Sequence, residues 1–409
     1  MRILLALLLW PLSCTAEDVS FDWDWTLSAA TAQSTDSPFF SPTDAERQTL
    51  DALLDVQTHW QGMTGRLALR ATNVLSSDEE AHDGEVIIQE WFWHHSFGSV
   101  DVTAGKLRLD WGVGYGYRPL DIFKPYRRHP VGIQVEEGAG TLLLSHFDAL
   151  GDWSVVATDS SWTQQEGSEL EQAAQQKGIG IRRYLLQGDT EWQGIAYYDD
   201  VRRGLLAMSV ISVLDPAWEW HGSLLYQNRY LSYVTDSSAF APELKTQSSG
   251  YQGLLGLNWA SLSGHNIIAE YWYDSRAWSQ SEWQNVRQSA QQWQRSPLAQ
   301  SLAAGYSHAN LVQHNFMLHW TMAATAWREW SWSRTQNWLD DFTPTTDVLI
   351  APQDGGVIAT QWFNYLAWDS GTTSVEVEVA ARFYTGRSES AYANLPDKHM
   401  ILLNLKGKF

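Results

Sequence analysis

One cysteine in 409 residues, Cys14, leaves no internal disulfide to form and no cysteine-based zinc or redox motif. After the first ten residues no apolar run approaches the roughly 20 residues that a membrane-spanning helix needs. Mean hydropathy is only -0.31. Basic residues are scarce as well: 27 Lys and Arg stand against 47 Asp and Glu, for a formal net charge of -20. That balance excludes nucleic acid as an evident partner.

Aromatic residues, by contrast, are abundant, with 24 Trp, 16 Tyr and 13 Phe. Low hydropathy and many aromatics coexist in a membrane β-barrel, where only alternate residues meet lipid and aromatic girdles mark both interfaces. A soluble secreted β-protein rich in tryptophan is the competing reading. The amino end fits either: Met1-Arg2 is positive, Ile3 to Trp10 is apolar, and Cys14-Thr15-Ala16 ends on a small residue. Residues 1–16 read as a secretory signal peptide cleaved after Ala16, leaving 17–409 as one domain without cysteine. Lipidation of Cys14 is the alternative, though Pro11 and Leu12 fit that pattern poorly.

Alternation and turn chemistry predict about eighteen strands, with sixteen as the alternative. They lie near 19–29, 50–61, 65–74, 85–97, 99–110, 139–148, 152–161, 176–187, 190–199, 203–213, 218–232, 250–260, 264–276, 311–322, 325–336, 355–368, 372–386 and 398–409. Every second connection is a tight turn. Those between are long and polar, apart from the short Asp200–Arg203 link. A sandwich has no reason to keep that rhythm, whereas a membrane barrel has short periplasmic turns and long extracellular loops. The expected fold is all-β: one closed antiparallel transmembrane barrel, because an open sheet edge cannot face hydrocarbon.

The last segment, Ile401-Leu-Leu-Asn-Leu-Lys-Gly-Lys-Phe409, alternates an oily face with a wet one and ends on an aromatic. It resembles the terminal strand of bacterial outer-membrane β-barrels of the porin-like kind. That resemblance implies the bacterial outer membrane, contact with its lipid and lipopolysaccharide, and Phe409 as a signal read by the barrel-assembly machinery. The stretch Gly105–Gly112 into Arg118–Asp121 also resembles, loosely, segments of uncharacterised barrel families and large export porins.

Lipid tolerance fixes the phase, since each Arg or Lys on the lipid side near the midplane costs about 2–4 kcal/mol. Arg66, Arg70, Lys106, Arg108 and Arg182 are expected to face the lumen as a basic wall, with Leu107 and Leu109 on lipid. Glu270, Asp274, Glu376 and Glu378 form an acidic wall, continued by Asp22, Asp24 and Asp55. Local pairing of these charges is the alternative. The phases of 85–97 and 355–368 stay open.

The connection 110–138 is odd for a solvated loop. It has Gly112, Gly114 and Gly116, three prolines, five aromatics including Tyr117, and the basic residues Arg118, Lys124, Arg127, Arg128 and His129. In general porins the third extracellular loop folds inward as the constriction, and this is the third long loop. A basic, aromatic constriction would favour anionic or carbohydrate-like solutes, as aromatic faces stack on sugars and guanidinium forks grip carboxylates. Eighteen-strand monomeric porins with basic lumens tend to pass acidic sugars or carboxylates, so the resemblance points the same way. Packing on the rim against lipopolysaccharide phosphates is the alternative.

Other candidate sites fall away. His94-His95 lacks a third metal ligand, and the acidic stretch 78–85 lacks the ordered spacing of a calcium loop. Gly112-x-Gly114-x-Gly116 has the wrong spacing for nucleotide phosphates. His95-Ser96 and Ser145-His146 are adjacent on strands, so they point to opposite faces and cannot act as base and nucleophile. The expectation is a channel without cofactor or metal, not an enzyme, that passes small polar solutes in or out passively. A non-conducting barrel serving as adhesin or scaffold for a surface or periplasmic partner is the second reading.

Overall fold

The computed structural model describes residues 19–40, 46–75, 80–123, 132–164, 167–235, 241–294 and 296–409. The proposed signal peptide and Cys14 lie outside them. Among the described residues, eighteen strands form one antiparallel sheet. The first nine are β1 (Val19–Ser34), β2 (Glu46–Trp60), β3 (Met63–Leu75), β4 (Glu80–Phe97), β5 (Val100–Leu107), β6 (Ala139–Asp148), β7 (Gly151–Asp159), β8 (Lys177–Gln187) and β9 (Thr190–Asp199). The second nine are β10 (Leu205–Asp215), β11 (Trp218–Val234), β12 (Glu243–Ala260), β13 (His265–Asp274), β14 (His314–Met322), β15 (Phe342–Ala351), β16 (Gly356–Asp369), β17 (Ser374–Gly386) and β18 (Asp397–Lys408).

Each strand pairs with its neighbours in sequence, and β1 pairs β18 in the register Leu27↔Leu405 and Ala29↔Leu403. The sheet is therefore a closed cylinder with no free edge between first and last strand. Phe409 stacks on Trp23 at 4.5 Å, and its N–H donates to the Trp23 carbonyl at 3.1 Å, so the chain end seals this seam.

Alternation sets the two faces. Leu206, Leu224, Tyr251, Leu255, Leu403 and Phe383 are exposed on the outer face, while Leu225, Leu254, Trp272, Met317 and Leu402 are buried within. Outward rows this apolar cannot stay in water, and hydrocarbon is the solvent that suits them. The two segments of open phase owe their irregularity to bulges. The β3–β4 register shifts between Arg66 and Leu67, and the β16–β17 register shifts between Leu366 and Trp368. An extra residue at each place breaks the period of two.

Two expectations need correction. Residues 325–336 are not a strand: β15 is Phe342–Ala351, and 323–341 form a long connection with 3-10 turns at Ala324–Glu329 and Asn337–Asp341. The alternating Trp330 and Trp332 mimic a strand, whereas Thr345 to Ile350 supply the β-branched row that pairs β14. Pro344 stands just beyond that β14 ladder, where its missing N–H breaks no bond on that side. The rhythm of short turns is thus broken once, at the turn end of the barrel, and the following connection at the loop end, 352–355, is short.

The second correction concerns 106–110. The strand stops at Leu107, after Gly105 at φ 141°, so the assumed alternation does not continue. Lys106 stands in the outward row opposite Trp91 and Gly140, buried against Glu137. Leu107 is buried, and Leu109 packs with Trp111 and Leu120 inside the barrel.

Candidate functional site

Between Leu107 and Ala139 the described parts of the connection, 108–123 and 132–138, leave the wall and fold into the barrel. The first part closes around Asp121, whose Oδ1 accepts from the N–H groups of Trp111 at 3.0 Å and Gly112 at 2.7 Å. Arg118 pairs with the other Asp121 oxygen at 3.1 Å and also donates to the Gly112 carbonyl at 3.0 Å. A Cβ on Gly112 would meet the Arg118 Cβ at 2.4 Å, so this crossing needs glycine. Burial pushes the Asp121 carboxyl up to about 6, outweighing Arg118 and the two backbone donors.

The loop then docks on β11–β14. The N–H groups of Tyr115 and Gly116 donate to the two oxygens of Glu270 at 2.6 and 2.7 Å, and His221 Nε2 lies 2.8 Å from the same carboxylate. A lone buried carboxylate is costly, and these donors are what make it tolerable. Next to it the Tyr117 hydroxyl donates to Gln252 Oε1 at 2.5 Å and meets Asp274 Oδ2 at 3.0 Å, while its ring stacks on Trp272. Burial holds the Tyr117 hydroxyl well above the usual phenol range. The loop is also tied to β8–β10. Gln193 donates to the Trp111 carbonyl at 2.8 Å, Arg182 lies 5.4 Å from the Trp111 ring, and Arg202 donates to the Ile122 carbonyl at 2.8 Å. Phe123 packs on Tyr197 of β9.

The returning limb meets other strands. A Cβ on Gly132 would lie 3.8 Å from Leu402 of β18, and Ile133 and Val135 pack on Leu53, Ala68 and Ile87 of β2–β4. The described ends of the loop, Phe123 and Gly132, therefore rest on different sides of the cylinder. Lys124, Arg127 and Arg128 lie between them, outside the described residues.

A second segment, 275–313, also turns inward, which the sequence reading did not anticipate. Its helix Gln280–Gln292 is started by a capping box, Ser279 with Glu282, and buries Trp283, Val286 and Ala290 at helical spacing. Trp278, Trp283 and Leu302 join a core with Phe39, Tyr233, Trp272 and Met317, several of them inward-facing wall residues. The two loops meet at one polar node. Arg276 grips Asp274 with two hydrogen bonds at 2.9 and 2.8 Å, and Asn310 donates to the same carboxylate at 2.9 Å. His308 Nε2 lies 3.0 Å from the Ser232 hydroxyl, and burial lowers its pKa. The signal for this cap was in the sequence: Ser279-x-x-Glu282 followed by an apolar spacing.

Most of the remaining sequence-predicted charges pair locally, while Asp22 and Asp24 are exposed on β1. Arg66 forks onto Asp55 at 2.9 Å, and Arg70 approaches Asp51 at 3.8 Å. Arg108 reaches Glu136 at 3.4 Å, and Arg182 reaches Asp152 at 3.2 Å. Lys406 binds Glu378 at 2.8 Å with Glu376 at 3.9 Å. For these named residues the pairing is local, as in the alternative to the opposed walls. Exposure divides these groups: Glu270 and Asp274 are 0% and 1% exposed, whereas the side chains of Glu376 and Lys406 are 38% and 39% exposed.

A closed eighteen-strand cylinder, oily outside, with a long loop folded into its lumen, is the architecture of outer-membrane porins. OccAB1 of Acinetobacter baumannii aligns over 97% of this chain and 98% of its own, at TM-score 0.56 and 10% identity. OccK8 (OprE) of Pseudomonas aeruginosa aligns over 96% and 98%, at TM-score 0.56 and 10% identity. OpdK of the same organism, solved with vanillate, aligns over 95% and 98%, at TM-score 0.51 and 9% identity. No family model and no curated protein matches the chain. The likeness is one of fold.

Proposed function

We propose that this protein is a porin-like channel of the bacterial outer membrane, passing small polar solutes, anionic or carbohydrate-like, by diffusion. One observation carries the reading: the loop after β5 is pinned across the lumen by its own N–H groups on the buried Glu270 carboxylate. A loop held that way narrows the cylinder without a covalent tie. The opposite wall, β17 through β3, keeps the partly exposed pairs Arg66–Asp55, Arg70–Asp51 and Lys406–Glu378. These line the path we assign to solute. Paired guanidinium groups can exchange an internal carboxylate for that of a solute, and Tyr115, the exposed aromatic of the loop's described part, offers a face for sugar rings. OpdK, solved with vanillate, gives an aromatic carboxylate as a first compound to try. The reading assigns no chemical step to any residue.

Planar-bilayer recordings of the purified protein in a salt gradient test it. Discrete conductance steps, reduced by vanillate or glucuronate in a dose-dependent way, support the reading. The inward cap at 275–313 favours the second reading, a closed scaffold, and a complete lack of conductance would establish that one instead.

A further inference from the structure

The connection 323–341 breaks the rule of short turns, and its side chains show where it lies. Trp330, Trp332 and Trp338 are 39%, 62% and 52% exposed, yet the segment is well folded around buried Ala326 and Leu339. Arg328 grips Asp340 with two hydrogen bonds at 3.0 Å, Ala323 N–H donates to the Gly264 carbonyl at 2.8 Å, and the Trp327 indole donates to the Phe342 carbonyl at 2.8 Å. Its exposed indoles are therefore displayed by a braced scaffold.

Where the rings of that scaffold meet the barrel wall, they meet its outward face. Trp330 packs edge-on against His265, which stacks on Trp320, and both residues stand in the outward rows of β13 and β14 beside Ile267 and Leu318. Trp327 and Trp338 both pack on Phe342, which stacks on Phe363 of the outward row of β16. The patch thus continues the lipid-facing belt of the cylinder instead of hanging below its mouth. Indole rings at such a level sit at the boundary between acyl chains and headgroups. Exposed apolar patches of this kind mark a surface that something covers.

We infer that residues 323–341 form an aromatic foot that lies in the interface of the periplasmic lipid leaflet, with phospholipid as its occupant. The foot widens the barrel's grip on the membrane over β13–β16, the sector whose inner side carries the loop clamp. It is independent of what the channel transports.

The test uses full-length protein with Cys14 replaced, single cysteines at positions 332 and 338, and nitroxide labels. A third label at Asp189, in a short turn of the same end, reports water. The barrels are reconstituted in phosphatidylethanolamine–phosphatidylglycerol vesicles, and folding is checked by heat-modifiable gel mobility. Labels at 332 and 338 should be accessible to oxygen and protected from a water-soluble nickel chelate at least several-fold relative to position 189. Nickel access equal to that at 189 overturns the inference. So does protection that appears only in native envelopes and is lost in lipid vesicles, since a protein partner would then cover the foot. A folded W332S/W338S variant should move neither conductance nor ion preference, which separates this inference from the channel reading.

Discussion

The barrel has two kinds of inner wall. Along β9–β14 the inward polar groups are sealed under loops: Gln193, His221, Gln252, Glu270 and Asp274 are buried, and each meets a loop atom or a group that does. Along β17–β3 the pairs Arg66–Asp55, Arg70–Asp51 and Lys406–Glu378 stay partly exposed and join neighbouring strands, and Asp22 and Asp24 are exposed beside them. In the first wall polarity holds chain in place, because a buried donor or acceptor left unpaired costs about 1–3 kcal/mol. In the second wall it faces water, where an ion pair contributes about 0–1 kcal/mol. The same residue types thus act as fasteners on one side and as channel lining on the other, and burial alone separates the roles.

The sharpest way to break this comparison is Glu270→Ala. It strands two loop N–H groups and His221, and should weaken loop docking by about 3–5 kcal/mol. Single-channel recordings should show larger and noisier current; unchanged current would mean the loop is held elsewhere. Next in size is a pH effect at Asp121. Its folded carboxyl titrates near 6 against an ordinary value of 3.8. The folded loop therefore keeps a proton that the unfolded chain has released between those values. Docking should weaken as pH rises from 4 to 6, by up to about 3 kcal/mol. Hydrogen exchange at Trp111 and Gly112, corrected for the intrinsic rate, checks this, and Asp121→Asn should flatten the profile.

Tyr117→Phe removes a hydroxyl shared by Gln252, Asp274 and Arg276. A cost of about 1–2 kcal/mol should loosen the third loop and the 275–313 cap together, seen as faster exchange in both. Loosening of one alone contradicts the shared node. The smallest effect is expected on the wet wall. Glu376→Gln should change stability by less than about 1 kcal/mol and leave conductance nearly intact. Only the reversal potential should shift, away from cations.

Much of this fold was legible because the lipid solvent allows few solutions. Val375, Val377 and Val379 against Glu376 and Glu378, or Ala269 and Tyr271 against Glu270, leave a single tolerable phase, and the register agrees. Where a bulge or a strand end intervenes, the period of two loses its meaning, as at Gly105–Lys106 and around Trp330. The loop's inward fold was legible from its aromatics and glycines, but the partner of its N–H groups was not. Nothing local distinguishes Glu270 from Glu376, since both alternate with apolar residues. Only the path of a loop 154 positions earlier buries one of them. Pairing such as Arg66–Asp55 depends on cross-strand register, which alternation does not set.

Charged thiol reagents applied during single-channel recording test the two-wall account most directly, on barrels lacking Cys14 and carrying one cysteine at a time. Glu376→Cys, on the wet wall, should react within seconds and step the current down, while Ser223→Cys, 4% exposed on the sealed wall, should not react. Equal reaction at the two positions, or a barrel that passes no current before reagent is added, would contradict the account.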